Sequence, residues 1–155
     1  MPPYAELLTT TNFSFLEGAS HPEEYIQTAK QLGYKALAVS DKNSLAGVVR
    51  AHLAAKRCGL PFVVGCRLRI SYQDLLFETG AYPCDREAYG RLCSLLSRCR
   101  QKASKDKCAL PLLDLTPNLK NMALLVLPPP HLAASPSLST AFESLCTTLK
   151  ESADK

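Results

Sequence analysis

An acidic residue followed at once by a basic one, Asp41-Lys42, stands at the end of a short apolar run, Ala36–Ser40. The run Ala-Leu-Ala-Val-Ser reads as a buried strand, Asp41-Lys42-Asn43-Ser44 as a polar tip, and Leu45 as the opening of a helix. A strand end that delivers a carboxylate just ahead of a helix is where α/β proteins place ligand and catalytic groups. Asp41 could contact a metal or a phosphate, or it could cap the second helix or pair with Lys42. Lys42 and Arg67 have the chemistry of an anion site, for phosphate or a DNA backbone oxygen. The plainer reading pairs them with Asp41 or Glu6.

The other reactive residue types form no constellation. His21 lies beside a helix start and reads as structural. His52 falls on or beside the apolar stripe of a helix and reads as a core histidine. His131 follows three prolines and receives no role. No two histidines share metal spacing, and the seven cysteines contain no C-x-x-C pair, so zinc is not indicated. An odd cysteine count in apolar and helical surroundings reads as reduced thiols. Arg98, Arg100, Lys102, Lys105 and Lys107 make a basic run at a helix end. It is either a solvated terminus that complements the helix dipole or a contact for a DNA backbone. No aromatic residues interleave with it to stack single-stranded bases. A glycine-rich phosphate loop and a nucleophile elbow are both missing.

The elements that must hold these residues alternate. A strand is expected at Tyr4–Leu8, then an apolar plug of Phe13, Phe15 and Leu16. A helix follows, capped by Ser20 with Glu23 in a capping box and stopped by Gly33. Strand Ala36–Ser40 leads to a helix capped at Asn43 or Ser44, with Leu45, Val48, Val49, His52 and Leu53 inward and Gly59 at its end. Phe62–Gly65 is a third strand that Leu68–Tyr72 could extend. This β-α-β-α-β order implies parallel strands with right-handed crossovers. Beyond it come a short strand at Leu75–Glu78 with a turn at Thr79-Gly80, and a helix capped by Asp85. A helical turn at Leu112–Leu115, a strand at Met122–Leu127 and a last helix through Leu138, Phe142, Leu145 and Leu149 complete the set. The 155 residues, 46% hydrophobic and 21% charged, fit one globular domain with a loose tail at 151–155. The net charge of +4 permits contact with nucleic acid without demanding it. No apolar run is long enough to span a membrane and no signal segment precedes the first strand, so a cytoplasmic location is expected.

The stretches Tyr4–Leu7, Asn12–Glu24 (Asn-Phe-Ser-Phe-Leu-Glu-Gly-Ala-Ser-His-Pro-Glu-Glu) and Leu45–His52 (Leu-Ala-Gly-Val-Val-Arg-Ala-His) carry a resemblance. Together they resemble the start of the polymerase and histidinol phosphatase (PHP) domain of bacterial C-family DNA polymerases. The error-prone branch related to the DNA polymerase III alpha subunit is the nearest match. Asp85–Cys93 looks like the same family's next helix, and the likeness runs to about Pro130. The resemblance implies a partial, distorted (β/α)7 barrel with parallel strands and outer helices. It also implies phosphoester hydrolysis on two or three metal ions in the catalytic members.

Metal-binding relatives of that kind carry His-x-His after the first strand, Asp-His after the second and Glu after the third. Here those positions hold Leu8 and Thr10, Asp41 and Lys42, and Arg67. Leu has no lone pair to offer, Thr is a poor neutral ligand, and two cations repel a dication by several kcal/mol at an effective dielectric of about 20. The expectation is therefore a degenerate site with no catalytic residue, no metal and no cofactor. The chain is expected to be the N-terminal part of a DNA-directed DNA polymerase, a nucleotidyltransferase acting in damage-induced translesion synthesis and repair. The fragment itself would be inactive and structural. Implied partners are the other domains of the parent, the sliding clamp, mutagenesis-complex proteins and DNA; no membrane is implied. A metal-dependent phosphoesterase or exonuclease is the alternative, and a free-standing nucleic-acid binder a weaker one.

Overall fold

The computed structural model describes residues 3–102 and 108–153. The chain divides into two compact units, Met1–Arg67 and Leu68–Lys155, and the division falls inside one long strand.

In the first unit three strands run parallel in the order β1 (Ala5–Thr9), β2 (Ala36–Lys42) and β3 (Phe62–Tyr72). The helices α1 (Pro22–Gln31) and α2 (Val48–Cys58) make the crossovers. Leu37 and Val39, alternate residues of β2, pack against Ile26 and Ala29 of α1 and Ala51, Ala54 and Ala55 of α2. Burying a Leu, Ile or Val side chain in this way stabilises the unit by about 1.5–3 kcal/mol each. The α/β class and the parallel β-α-β-α-β start agree with the sequence-based expectation.

Two helix starts differ from that expectation. The N-cap of α1 is His21, not Ser20, and the Glu24 carboxylate accepts its backbone N–H at 2.7 Å. Pro22 sets this frame: its missing N–H and fixed φ suit the first helical position. Glu23 is thereby released to pair with Arg50, at 2.6 Å. The α2 helix begins at Val48 with Gly47 as N-cap, not at Asn43 or Ser44. Asn43 is left-handed, at φ 47°, and Asp41–Ser44 form a turn that the Ser44 N–H closes on the Asp41 carbonyl. The buried face differs from the expected one too. Its inward stripe is Val48, Ala51, Ala54 and Ala55, while Val49 and Leu53 are exposed by 65% and 47%.

In the second unit, β3 turns back through Gln73 and Asp74, both at positive φ, into β4 (Leu75–Pro83). Such a two-residue turn matches the twist of its flanking strands. Thr79-Gly80 is not a turn. It sits inside β4, which pairs antiparallel with β6 (Met122–Leu127) from Glu78↔Leu127 to Pro83↔Met122. The α3 helix (Arg86–Lys102) starts where expected: Asp85 accepts the Ala88 N–H at 2.7 Å, and Ala88, Leu92, Leu95, Leu96 and Cys99 are buried. The two-residue strand β5 (Leu110–Pro111) pairs in parallel with β3 at Ile70↔Leu110 and leads into α4 (Leu112–Leu115). The α5 helix (Pro136–Ala153) buries Ala141, Leu145 and Leu149. It is helical through Ala153.

Candidate functional site

Register brings the site together. The β2–β3 pairing sets Asp41 beside Cys66 and Lys42 beside Arg67, so two cations sit on adjacent parallel strand ends. Left alone they would repel. Glu17, from the loop that follows β1, lies between them. One of its carboxylate oxygens accepts from Lys42 Nζ and the other from Arg67 Nη2. Burial would raise the Glu17 carboxyl, but the hydrogen bond from Lys42 and the charges of Lys42 and Arg67 outweigh it and hold it below the usual carboxylate range. The three side chains are partly open to solvent, with Arg67 the most enclosed at 19%.

Asp41 has a different task. It is fully buried. Its Oδ1 accepts the Thr11 N–H at 2.8 Å and the Ser14 hydroxyl at 2.8 Å; its Oδ2 accepts the Thr11 hydroxyl at 2.7 Å. The Ser14 hydroxyl in turn accepts the Lys42 N–H at 2.9 Å. Asp41 therefore neither caps α2 nor pairs with Lys42. It fastens the loop after β1 to the end of β2, and the same fastening presents Glu17 to the two cations.

Two glycines make this possible by close approach. A Cβ at Gly18 would lie 2.1 Å from the Thr11 carbonyl oxygen, so no side chain fits there. A Cβ at Gly47 would come within 2.9 Å of the Asp41 Oδ2. The loop also holds Leu16 at φ 64°, a costly conformation for a bulky residue, and leaves it 90% exposed beside Phe15 at 86%. Phe13, Phe15 and Leu16 are thus not an inward plug.

Leu8 and Thr10 line an open pocket of about 570 Å3 beside β1 and α1, with Glu6, Tyr25 and Tyr34. Glu6 does not meet Lys42 or Arg67. It accepts from the Tyr4 hydroxyl at 2.6 Å and the Leu8 N–H at 2.8 Å, and these bonds lower its pKa. His52 is exposed, its ring 6.3 Å from that of Phe62, so it is not a core histidine. In the second unit, Arg98 and Arg100 are exposed near the end of α3. Two residues apart on a helix, they point about 200° apart and form no common face. Only the backbone of Lys102 is described, and Lys105 and Lys107 lie outside the described residues.

Sequence reasoning missed Thr11, Ser14 and Glu17. A signal existed for Glu17: it is the only acidic residue between Glu6 and Glu23. Among the described residues no group of three or more His, Cys, Asp or Glu is placed to hold a metal ion, and no helix is long and apolar enough to cross a membrane.

Three parallel strands whose ends carry the polar side chains, with α1 and α2 in the crossovers between them, define an α/β fold. An amidohydrolase from Chromobacterium violaceum matches with a TM-score of 0.54 and 27% identity over 63% of this chain and 33% of its own. A Bifidobacterium adolescentis protein assigned as a metal-dependent phosphoesterase matches with a TM-score of 0.54 over 93% of this chain and 56% of its own; at 17% identity it speaks to the fold alone. The chain belongs to the PHP domain family, whose profile matches residues 6–126. Its sequence is 41% identical over 149 residues to an error-prone DNA polymerase of Rhodopseudomonas palustris (strain BisB5), covering 94% of this chain and 13% of that one. It is 48% identical over 128 residues to an error-prone DNA polymerase of Caulobacter vibrioides, covering 83% of this chain and 12% of that one.

Proposed function

We propose that the chain is a non-catalytic PHP module of an error-prone DNA polymerase, with a structural part in translesion synthesis of damaged DNA. One observation carries this reading: Glu17 is shared between Lys42 and Arg67, at the strand ends where ligands would converge. A dication there would meet two positive charges, and the carboxylate between them is already engaged by both. Asp41 could not take its place, since both its oxygens are occupied by Thr11 and Ser14. Leu8 offers no ligand atom and Thr10 only a neutral hydroxyl. The residues present do not fit a metal cluster. An ion-pair clamp does here what a metal does elsewhere, tying the loop after β1 to the ends of β2 and β3.

The relatives support the setting. The chain spans about an eighth of the length of the first polymerases it matches. In this reading the rest of such a polymerase is its first partner, with the sliding clamp, mutagenesis-complex proteins and DNA reached through that parent in the cytoplasm.

Metal analysis of the purified chain tests the proposal. The expected result is no retained zinc or manganese after dialysis, and no hydrolysis of a chromogenic phosphoester with either metal added. Two or more tightly held equivalents together with hydrolysis would establish the phosphoesterase reading instead.

A further inference from the structure

The open pocket of about 570 Å3 beside β1 and α1 is lined entirely from the first unit. Two glutamates (Glu6, Glu17) and three threonines (Thr9, Thr10, Thr28) stand in its wall, with no lysine, arginine or histidine among the lining residues. Glu17 is already shared by Lys42 and Arg67. Glu6 forms no ion pair among the described residues. Its Oε2 accepts from the Tyr4 hydroxyl at 2.6 Å and its Oε1 from the Leu8 N–H at 2.8 Å, both neutral donors. These bonds hold its pKa below the usual carboxylate range, so it is fully charged at neutral pH. Thr9 supplies a second observation. It is 6% exposed, and its Oγ1 has no hydrogen-bond partner among the described residues. A buried hydroxyl in that state is unfavourable until a ligand or a water meets it. The Glu6 carboxylate folds forward to the N–H of Leu8, the residue before Thr9, so the charge and the unmet hydroxyl are neighbours along β1.

We propose that this pocket binds a primary alkylammonium group, its head at Glu6 and Thr9 and its alkyl chain against Leu8, Leu32 and Leu37. The lining selects the charge. An anion would find no cation there, and a neutral ligand would leave the Glu6 charge uncompensated in the covered pocket. A metal ion needs several ligand atoms, and no group of three or more His, Cys, Asp or Glu is placed to hold one among the described residues. The geometry favours an ammonium over a guanidinium. Each Glu6 oxygen already accepts one hydrogen bond, which spoils the paired acceptance that a planar guanidinium fork prefers. A compact ammonium needs one lone pair from Glu6 and one from a hydroxyl, and its three N–H donors turn freely to both. Tyr25 and Tyr34 add aromatic surface that attracts a cation. Tyr4 packs edge-on against the Tyr34 ring, with centroids 4.9 Å apart, and steadies it. Lys42 and Arg67 do not line the pocket, so the proposal does not depend on the ion-pair clamp.

The test titrates the intact, isotope-labelled chain with butylammonium chloride at constant ionic strength and follows the backbone amides by NMR. Butanol and sodium butyrate serve as the neutral and anionic matches. The expected result is saturable shifts centred on Thr9, Tyr25, Thr28 and Tyr34 with butylammonium, and no saturation with the other two at the same concentrations. Glu6→Gln should weaken binding at least about ten-fold, the usual worth of a hydrogen bond to a charged group. Thr9→Val removes the hydroxyl at nearly constant shape. It should weaken binding about three-fold while leaving the ligand-free chain at least as thermally stable, because the lost group had no partner. Circular dichroism confirms that each variant is folded before it is scored. Lysine blocked at both backbone ends distinguishes the source of the head group. Binding tighter than that of butylammonium assigns it to a side chain of another protein, weaker binding to a free amine, and either order supports the proposal. No saturable binding, equal binding of butanol, or an affinity unchanged in a folded variant would overturn it.

Discussion

Two carboxylates 24 residues apart in sequence do unequal work. Asp41 is fully buried and accepts three hydrogen bonds, so its removal strands the Thr11 N–H and two hydroxyls in a dry pocket. Asp41→Ala should cost about 3–5 kcal/mol, as the loss of a buried charge partner does. Glu17 is about one-third exposed, and water can replace part of what it supplies. Glu17→Gln should cost only about 1–2 kcal/mol. Denaturant midpoints of the two variants check this order. The cost of Glu17→Gln should also depend on pH. The folded-state pKa of Glu17 is lowered, so its contribution is present above the unfolded value of about 4.3 and is lost as pH falls through the lower folded value. Parent and variant should therefore differ in stability near neutral pH and converge in acid. A difference that stayed constant into acid would sink the clamp.

At the scale of the elements, α2 shows how much one helix start decides. Its inward stripe is largely alanine, which lets the helix lie close to α1 and β2. Ala51→Leu should cost about 1–3 kcal/mol by overpacking, whereas Val49→Lys on the open face should change stability by no more than about 0.5 kcal/mol. The sequence-based stripe predicts the reverse sensitivity, so thermal melts of the pair decide between them. That stripe failed for a physical reason. Alanine carries little hydrophobic signal, and Asn43 and Ser44 look like caps although they serve a turn. The α3 helix was legible because Asp85 stands directly ahead of a regular apolar repeat. Of β4 only the first part, Leu75–Glu78, was legible, because Thr79-Gly80 has turn-forming composition and is held extended by pairing with β6. The strand-end tip at Asp41 was found at once. Its partners were not, because Thr11, Ser14 and Glu17 reach it through a loop whose path no local pattern encodes.

For the molecule as a whole, surface matters more than site. Among the described residues β1 has one strand neighbour, β2, and its outer side keeps Tyr4 and Leu7 exposed by 49% and 37%. Part of that edge is blunted from within, since Glu6 turns back to accept the Leu8 N–H. Phe15, Leu16 and Leu113 add strongly exposed apolar groups. Open strand edges recruit other chains. The isolated chain should therefore self-associate. Light scattering should give a mass above the monomer that rises with concentration, and a clean monomer with one cooperative unfolding transition would count against this.

The register that sets Lys42 beside Arg67 also couples the two positions to each other. A single change of either cation to an imidazole or a carboxylate removes one of the two ion pairs of Glu17 while the other positive charge stays. Each such single change is a loss without a compensating gain. The three side chains therefore behave as one unit, in which two positions on neighbouring strands depend on a single loop carboxylate and tolerate change together rather than singly.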